Sequence, residues 1–151
     1  MALLDFVKDA GEKLFDLFSG ASEEKNKEAA NKLTQVISGL GLRADNLMIR
    51  FKDGIASISG TAPSQEEKEK ILLAVGNTQG VAKVDDQLKV AKHEPEANFY
   101  TVKSGDTLSR ISKSVYGDPN KYMLIFEANK PLLKDPNKIY PGQMLRIPPL
   151  H

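Results

Sequence analysis

A polar, proline-bearing seam, Ala91-Lys92-His93-Glu94-Pro95-Glu96-Ala97-Asn98, cuts this chain of 151 residues into two units, and neither is large. Residues 1–91 precede a linker at 92–98, and residues 99–149 follow it. A unit of the second size buries barely enough surface to fold, and the chain has no cysteine to staple it. Both units must therefore close around short, local elements.

Composition removes several function classes. Lys and Arg number 21 against 20 Asp and Glu, a formal net charge of +1, which excludes a strongly basic nucleic-acid binder. Without cysteine there is no thiolate nucleophile and no Cys-type zinc site. The two histidines, His93 in the seam and His151 at the end, form no metal pair and no Ser-His arrangement. No phosphate-cradling glycine loop occurs. Catalysis has no support. No uncharged run approaches the ~18 residues of a membrane span, and the N-terminus lacks a secretory pattern. A monomeric, non-enzymatic, cytoplasmic protein is the expectation.

In the first unit, Leu3, Phe6, Val7, Ala10, Leu14, Leu17 and Phe18 recur at helical steps, interrupted at Gly11. The spacing predicts an N-terminal helix. Its polar positions Asp5, Asp9, Glu12 and Asp16 outweigh Lys8 and Lys13, so packing against the core is favoured over an anionic membrane surface. A second helix runs from about Ser22 with Ala29, Leu33, Val36, Ile37 and Leu40 as its stripe. Strands at 47–51 and 55–59 flank Asp53-Gly54, a strong hairpin signal, though their parity leaves the buried face open. Ser64 and Glu67 have capping-box spacing at the start of a helix with Ile71, Leu72 and Val75 on its core face. A strand at 81–90 closes the unit.

The second unit opens with a strand at 99–102. Asp106 or Thr107 caps a short helix carrying Leu108, Ile111 and Val115, and Gly117 stops it. Asp118-Pro119 restarts a helix, with Tyr122, Ile125, Phe126 and Asn129 on one side. Pro141-Gly142 fits a type II turn before a return strand at 144–147. The fold class is α/β (α+β): helix plus αββαβ, then βααβ.

Specific residues give the second unit a family resemblance. Tyr100-Thr101-Val102, Ser104-Gly105-Asp106-Thr107-Leu108, Tyr116-Gly117 and Ile139-Tyr140-Pro141-Gly142-Gln143 resemble a LysM domain over 99–148. That resemblance implies a groove for N-acetylglucosamine polymers such as peptidoglycan, between Gly105, Asp106, Thr107 and Leu108 on one side and Asn129, Ile139 and Tyr140 on the other. The same positions also serve as turns and caps. The first unit, through its helix–hairpin–helix–strand order, Asp53-Gly54, Gly60 and Gly80-Val81-Ala82-Lys83-Val84-Asp85-Asp86, resembles a BON domain. BON domains are mostly linked to membrane attachment or envelope stability, so an envelope adaptor that binds peptidoglycan is the alternative reading.

The combination, opened by Phe6-Val7-Lys8-Asp9-Ala10-Gly11-Glu12, resembles a bacterial family of potassium-binding BON–LysM proteins. That resemblance implies a K⁺ sensor in which the LysM domain supports a compact bound state. It implies ligation by the main-chain carbonyls of Val7, Ala10, Glu12, Gly76, Thr78 and Val81. Such a set suits K⁺, a large monovalent ion that prefers neutral oxygen dipoles, whereas dense carboxylate sites suit Ca²⁺. Helix C-termini supply orphaned carbonyls and a negative dipole end, and Gly11 and Gly76 both sit where a helical pattern breaks. Thr78 stands where the pattern has an aliphatic residue, a change that a carbonyl ligand survives.

Overall fold

The computed structural model describes residues 2–5, 23–78, 81–92 and 97–149. The element order is β1 (Ala2–Asp5), α1 (Glu23–Gly39), β2 (Asp45–Lys52), β3 (Ile55–Ala62), α2 (Gln65–Gly76), β4 (Lys83–Val90), β5 (Asn98–Thr101), α3 (Leu108–Tyr116), a 3-10 turn (Pro119–Lys121), α4 (Tyr122–Ala128) and β6 (Met144–Ile147). This is the mixed α and β class expected from the sequence.

Strands β1 to β4 form one sheet in the order β1-β4-β3-β2. The β2–β3 hairpin turns at Asp53 and Gly54, both at positive φ, the backbone that a two-residue turn needs to match strand twist. Helix α2 is the crossover between β3 and β4, which pair in parallel from Ile55↔Lys83 to Ala62↔Val90. The buried face belongs to Ile49, Phe51, Ala56 and Ile58, which meet Leu33 and Ile37 of α1 and Ile71 and Val75 of α2 in one core.

The predicted N-terminal helix fails over its first residues. Ala2–Asp5 is a strand paired antiparallel with β4, from Ala2↔Asp86 to Asp5↔Lys83. An apolar run this short satisfies helical and strand periodicity alike. The open edge of β4, whose backbone groups need partners, decides between them. The rest of that stripe, including Phe6, Val7 and Ala10, lies outside the described residues, as do Gly11 and Glu12.

The capping box is half made. Ser64 Oγ accepts the Glu67 amide at 3.1 Å, but the Glu67 carboxylate accepts the Arg43 amide at 2.8 Å. It thereby fastens the loop before β2 to the start of α2.

β5 and β6 form a separate two-stranded sheet over a second core of Val102, Leu108, Ile111, Ile125, Phe126, Leu133, Leu145 and Ile147. Thr107, not Asp106, caps α3, accepting the Arg110 amide at 3.2 Å. Asp118 caps the following 3-10 turn, with Pro119 at its first position. Leu132 leaves this second unit to pack against the first core.

Gly60 holds the bulged end of the hairpin. Its φ is +133°, and a Cβ there would stand 2.8 Å from the Asp45 carbonyl oxygen. Because the obstruction is backbone in a conformation that L side chains avoid, Gly60→Ala is expected to lower stability by about 1–3 kcal/mol. Urea unfolding of the full chain measures it, and an unchanged midpoint contradicts it.

Candidate functional site

The apolar run Ile71-Leu72-Leu73-Ala74-Val75 puts hydrophobic groups on every side of the last turns of α2, and all five are buried along with Gly76. One face meets the first unit's sheet. The other meets β6 of the second unit, which explains how an all-round apolar helix persists in a small protein.

At its C-terminus the helix satisfies its carbonyls in sequence. The Asn77 amide donates to Leu73 O at 2.9 Å, the Thr78 amide to Val75 O at 3.1 Å, and the Thr78 hydroxyl to Ala74 O at 3.1 Å. The chain then tightens again, with the Val81 amide on Thr78 O at 3.2 Å. The buried Thr78 hydroxyl thus has its own internal partner, which accounts for a threonine where an aliphatic residue was expected. Gly76, Thr78 and Val81 are all buried at this end of α2. Val7, Ala10 and Glu12 lie outside the described residues. Among the described residues, no three His, Cys, Asp or Glu side chains stand close enough to share a metal ion. The C-terminal end of α2 offers carbonyl dipoles as a local source of negative potential.

Sequence reasoning missed the polar cluster between the two units. Glu69 is 2% exposed and Arg146 7%. Arg146 Nε donates to Glu69 Oε1 at 2.9 Å, and Arg146 Nη1 to Ala128 O at 2.8 Å. Glu69 Oε2 also accepts from Gln65 Nε2 at 3.0 Å and from the Ala97 amide at 2.9 Å. One carboxylate therefore joins α2, the end of the linker and β6. The available signal was Glu69 standing on the same helical face as Leu72, Leu73 and Gly76, three, four and seven residues on.

Two asparagines complete the outer edge of β6, one from each unit. The Asn77 carboxamide accepts the Met144 amide and donates to Met144 O, both at 2.9 Å. Asn129 does the same two residues along, accepting the Arg146 amide at 2.7 Å and donating to Arg146 O at 2.9 Å. Each carboxamide acts as one residue of a neighbouring strand and blunts an open sheet edge.

The residues named for a glycan groove are placed differently from one another. Asn129 is fully buried, and its side chain serves β6 and Ile125 O. Leu108 is core. Thr107 is exposed and caps α3, and Gly105 is exposed with its carbonyl accepting from Arg110 at 3.4 Å. Asp106 accepts the Tyr100 hydroxyl at 2.7 Å and the Lys103 amide at 2.8 Å. The Lys103 amide above all, with the tyrosine hydroxyl, holds the Asp106 carboxyl below its usual range, and the same contact pushes Tyr100 up. Ile139 packs on the second core. Tyr140 turns to a cleft of about 520 Å³ between the units, which Gln35, Val36, Thr78 and Gln143 also line. Of these seven positions, Leu108 and Asn129 are buried in the second unit, while Gly105 and Thr107 are exposed.

Among the described residues, no helix is long and apolar enough to cross a membrane. Comparison with known proteins identifies both units. The BON domain family model matches residues 23–92 and the LysM domain family model residues 100–148. The chain is 55% identical over 149 residues to the potassium binding protein Kbp of Escherichia coli O6:H1, covering 98% of this chain and 99% of that one. It is 33% identical over 137 residues to an uncharacterized protein of Deinococcus radiodurans, of which it covers 53%. A Bacillus phage B103 endolysin is 29% identical over 105 residues, 37% of its length.

Removing one partner of a buried ion pair strands the other charge. Arg146→Met is expected to cost about 3–5 kcal/mol, and the double variant Glu69→Gln/Arg146→Met to recover part of it. Urea unfolding of both variants measures the difference, and a double variant as unstable as the single one contradicts it.

Proposed function

The chain belongs to the Kbp family, a BON domain followed by a LysM domain, and from that premise we propose that it is a non-enzymatic, cytoplasmic K⁺ sensor. The ion sits against the C-terminal end of α2, held by the main-chain carbonyls of Val7, Ala10, Glu12, Gly76, Thr78 and Val81. The LysM domain supports the bound, compact state.

One observation carries the reading: the β1–β4 register. It ends at Asp5↔Lys83, so position 7 begins two residues from Lys83's partner and Val81 lies two residues before Lys83. Two residues span at most about 7 Å. The first ligand segment therefore starts within reach of the loop that supplies the second, although far from it in sequence. Helix α2 adds its negative end and the buried turn at Thr78.

Carbonyl ligation is the chemistry that suits K⁺, because neutral dipoles can replace its hydration shell without the excess charge that favours divalent ions. It also needs no particular side chain, so valine, alanine, glutamate, glycine and threonine can all stand at ligand positions.

The test is thermal unfolding in K⁺-free buffer, then with KCl or NaCl at matched ionic strength. A ligand at 100 times its Kd stabilises by about 2.7 kcal/mol, so the melting temperature is expected to rise with KCl and not with NaCl. Equal curves contradict the reading. Binding of chitooligosaccharides or lipid vesicles in place of K⁺ favours an envelope adaptor.

A second variant separates backbone from side-chain ligation. Glu12→Gln keeps the carbonyl and is expected to bind K⁺ with affinity close to wild type by calorimetry. Complete loss of binding identifies the carboxylate as the ligand.

A further inference from the structure

We propose that Asn77 is a positioning residue for the cation site: its carboxamide fixes the end of α2 to a strand of the LysM domain and is the contact through which that domain's support of the bound state reaches the Gly76 carbonyl. This rests on the function proposed above and names the contact through which the site is regulated.

Asn77 lies between two of the proposed ligand positions, Gly76 and Thr78. Its backbone and side chain do separate work. The amide caps α2 by donating to Leu73 O and Val75 O. The carboxamide contributes nothing to the cap. It spans to the other domain, 67 residues along the chain, and takes both backbone groups of Met144 at 2.9 Å. A two-bond bracket fixes distance and plane together, which a single hydrogen bond does not. The peptide planes on either side of Asn77 are those that carry the Gly76 and Asn77 carbonyls. Holding this residue against β6 therefore restricts where the Gly76 carbonyl points.

A second anchor keeps the bracket aligned. Glu69, eight residues earlier on α2, is about 12 Å up the helix axis and pairs with Arg146, two residues along the same strand β6. Helix and strand are thus joined at two points, one fixing the rotation of α2 and the other its terminus. A conformation of the 76–78 turn that suits the ion also suits the bracket, and by linkage each must strengthen the other.

The separation of roles makes the test clean. Asn77→Ala leaves the backbone cap in place and removes only the bracket. Groups that orient metal ligands from behind change metal affinity by about 10–100-fold when removed, so the K⁺ Kd of the full-length variant is expected to rise about tenfold by calorimetry. Its melting temperature in K⁺-free buffer is expected to fall by a few degrees, because the Met144 amide and carbonyl lose their side-chain partner. Hydrogen exchange supplies an independent reading. In the wild type, K⁺ is expected to slow exchange of the Met144 amide, and in Asn77→Ala this protection is lost.

A variant that binds K⁺ as tightly as wild type overturns the proposal, whatever its melting temperature, because the bracket is then only structural. A Met144 amide indifferent to K⁺ overturns it too. A wild-type chain that binds no K⁺ overturns the function itself, a result distinguishable from the other two.

Discussion

The docking of the two units turns on a single buried carboxylate. Glu69 sits among apolar residues with almost no access to water, a position that is costly for a charge unless its oxygens are filled. The guanidinium of Arg146, the Gln65 amide and the Ala97 backbone fill them. Such a pair is weak evidence for net stability, because desolvation offsets most of the Coulomb gain. Its value is directional. Burial of Leu132 against the first core favours docking but is tolerant of sliding, since the hydrophobic effect has no preferred direction. The three partners of Glu69 restrict that sliding and fix which residue of β6 faces which turn of α2.

Helix α2 is therefore the shared element of the protein. It is the crossover of the BON sheet, the platform for the LysM strand and the terminus that carries the candidate site. A crossover helix normally has one face in solvent, but here the second face is taken by the neighbouring domain. That arrangement gives a cysteine-free unit of about 50 residues, a size at which burial is marginal, additional surface to bury. It also means that the turn at 76–78 is packed from both sides.

Much of the fold was legible because its signals are local. Asp53-Gly54, Ser64, Thr107, Gly117 and Asp118-Pro119 act through the backbone within a few residues, and each marks the boundary that its chemistry predicts. The failures involve partners distant in sequence. Ala2–Asp5 is a strand because β4 offers an edge some 80 residues away, which nothing in an apolar tetrapeptide encodes. Glu67 leaves its capping box for the Arg43 amide. The carboxamide of Asn129 brackets Arg146 of β6, a partner 17 residues away that its place on a helix face does not announce. One long-range feature does have a trace in the sequence: the continuous run 71–76 is apolar beyond the core face of Ile71, Leu72 and Val75, and all six residues are buried. The candidate ligands were legible only through family resemblance, since every residue type has a carbonyl and no side-chain motif marks the site.

That invisibility follows from the chemistry. A carbonyl cage discriminates by where its oxygens stand, and those positions are set by backbone dihedrals, not by side-chain identity. The dihedrals of a helix-terminal turn are soft unless something outside the turn holds them. At the end of α2 the hold comes from side chains that are not proposed ligands: the Thr78 hydroxyl on Ala74, the Asn77 carboxamide on Met144, and Glu69 through Arg146. The side chains that do carry recognisable polarity near the site are thus engaged in shaping the backbone. The turn at 76–78 thus has supports in the second unit as well as in its own helix, and this gives a physical reason for the BON domain to be joined to a LysM domain.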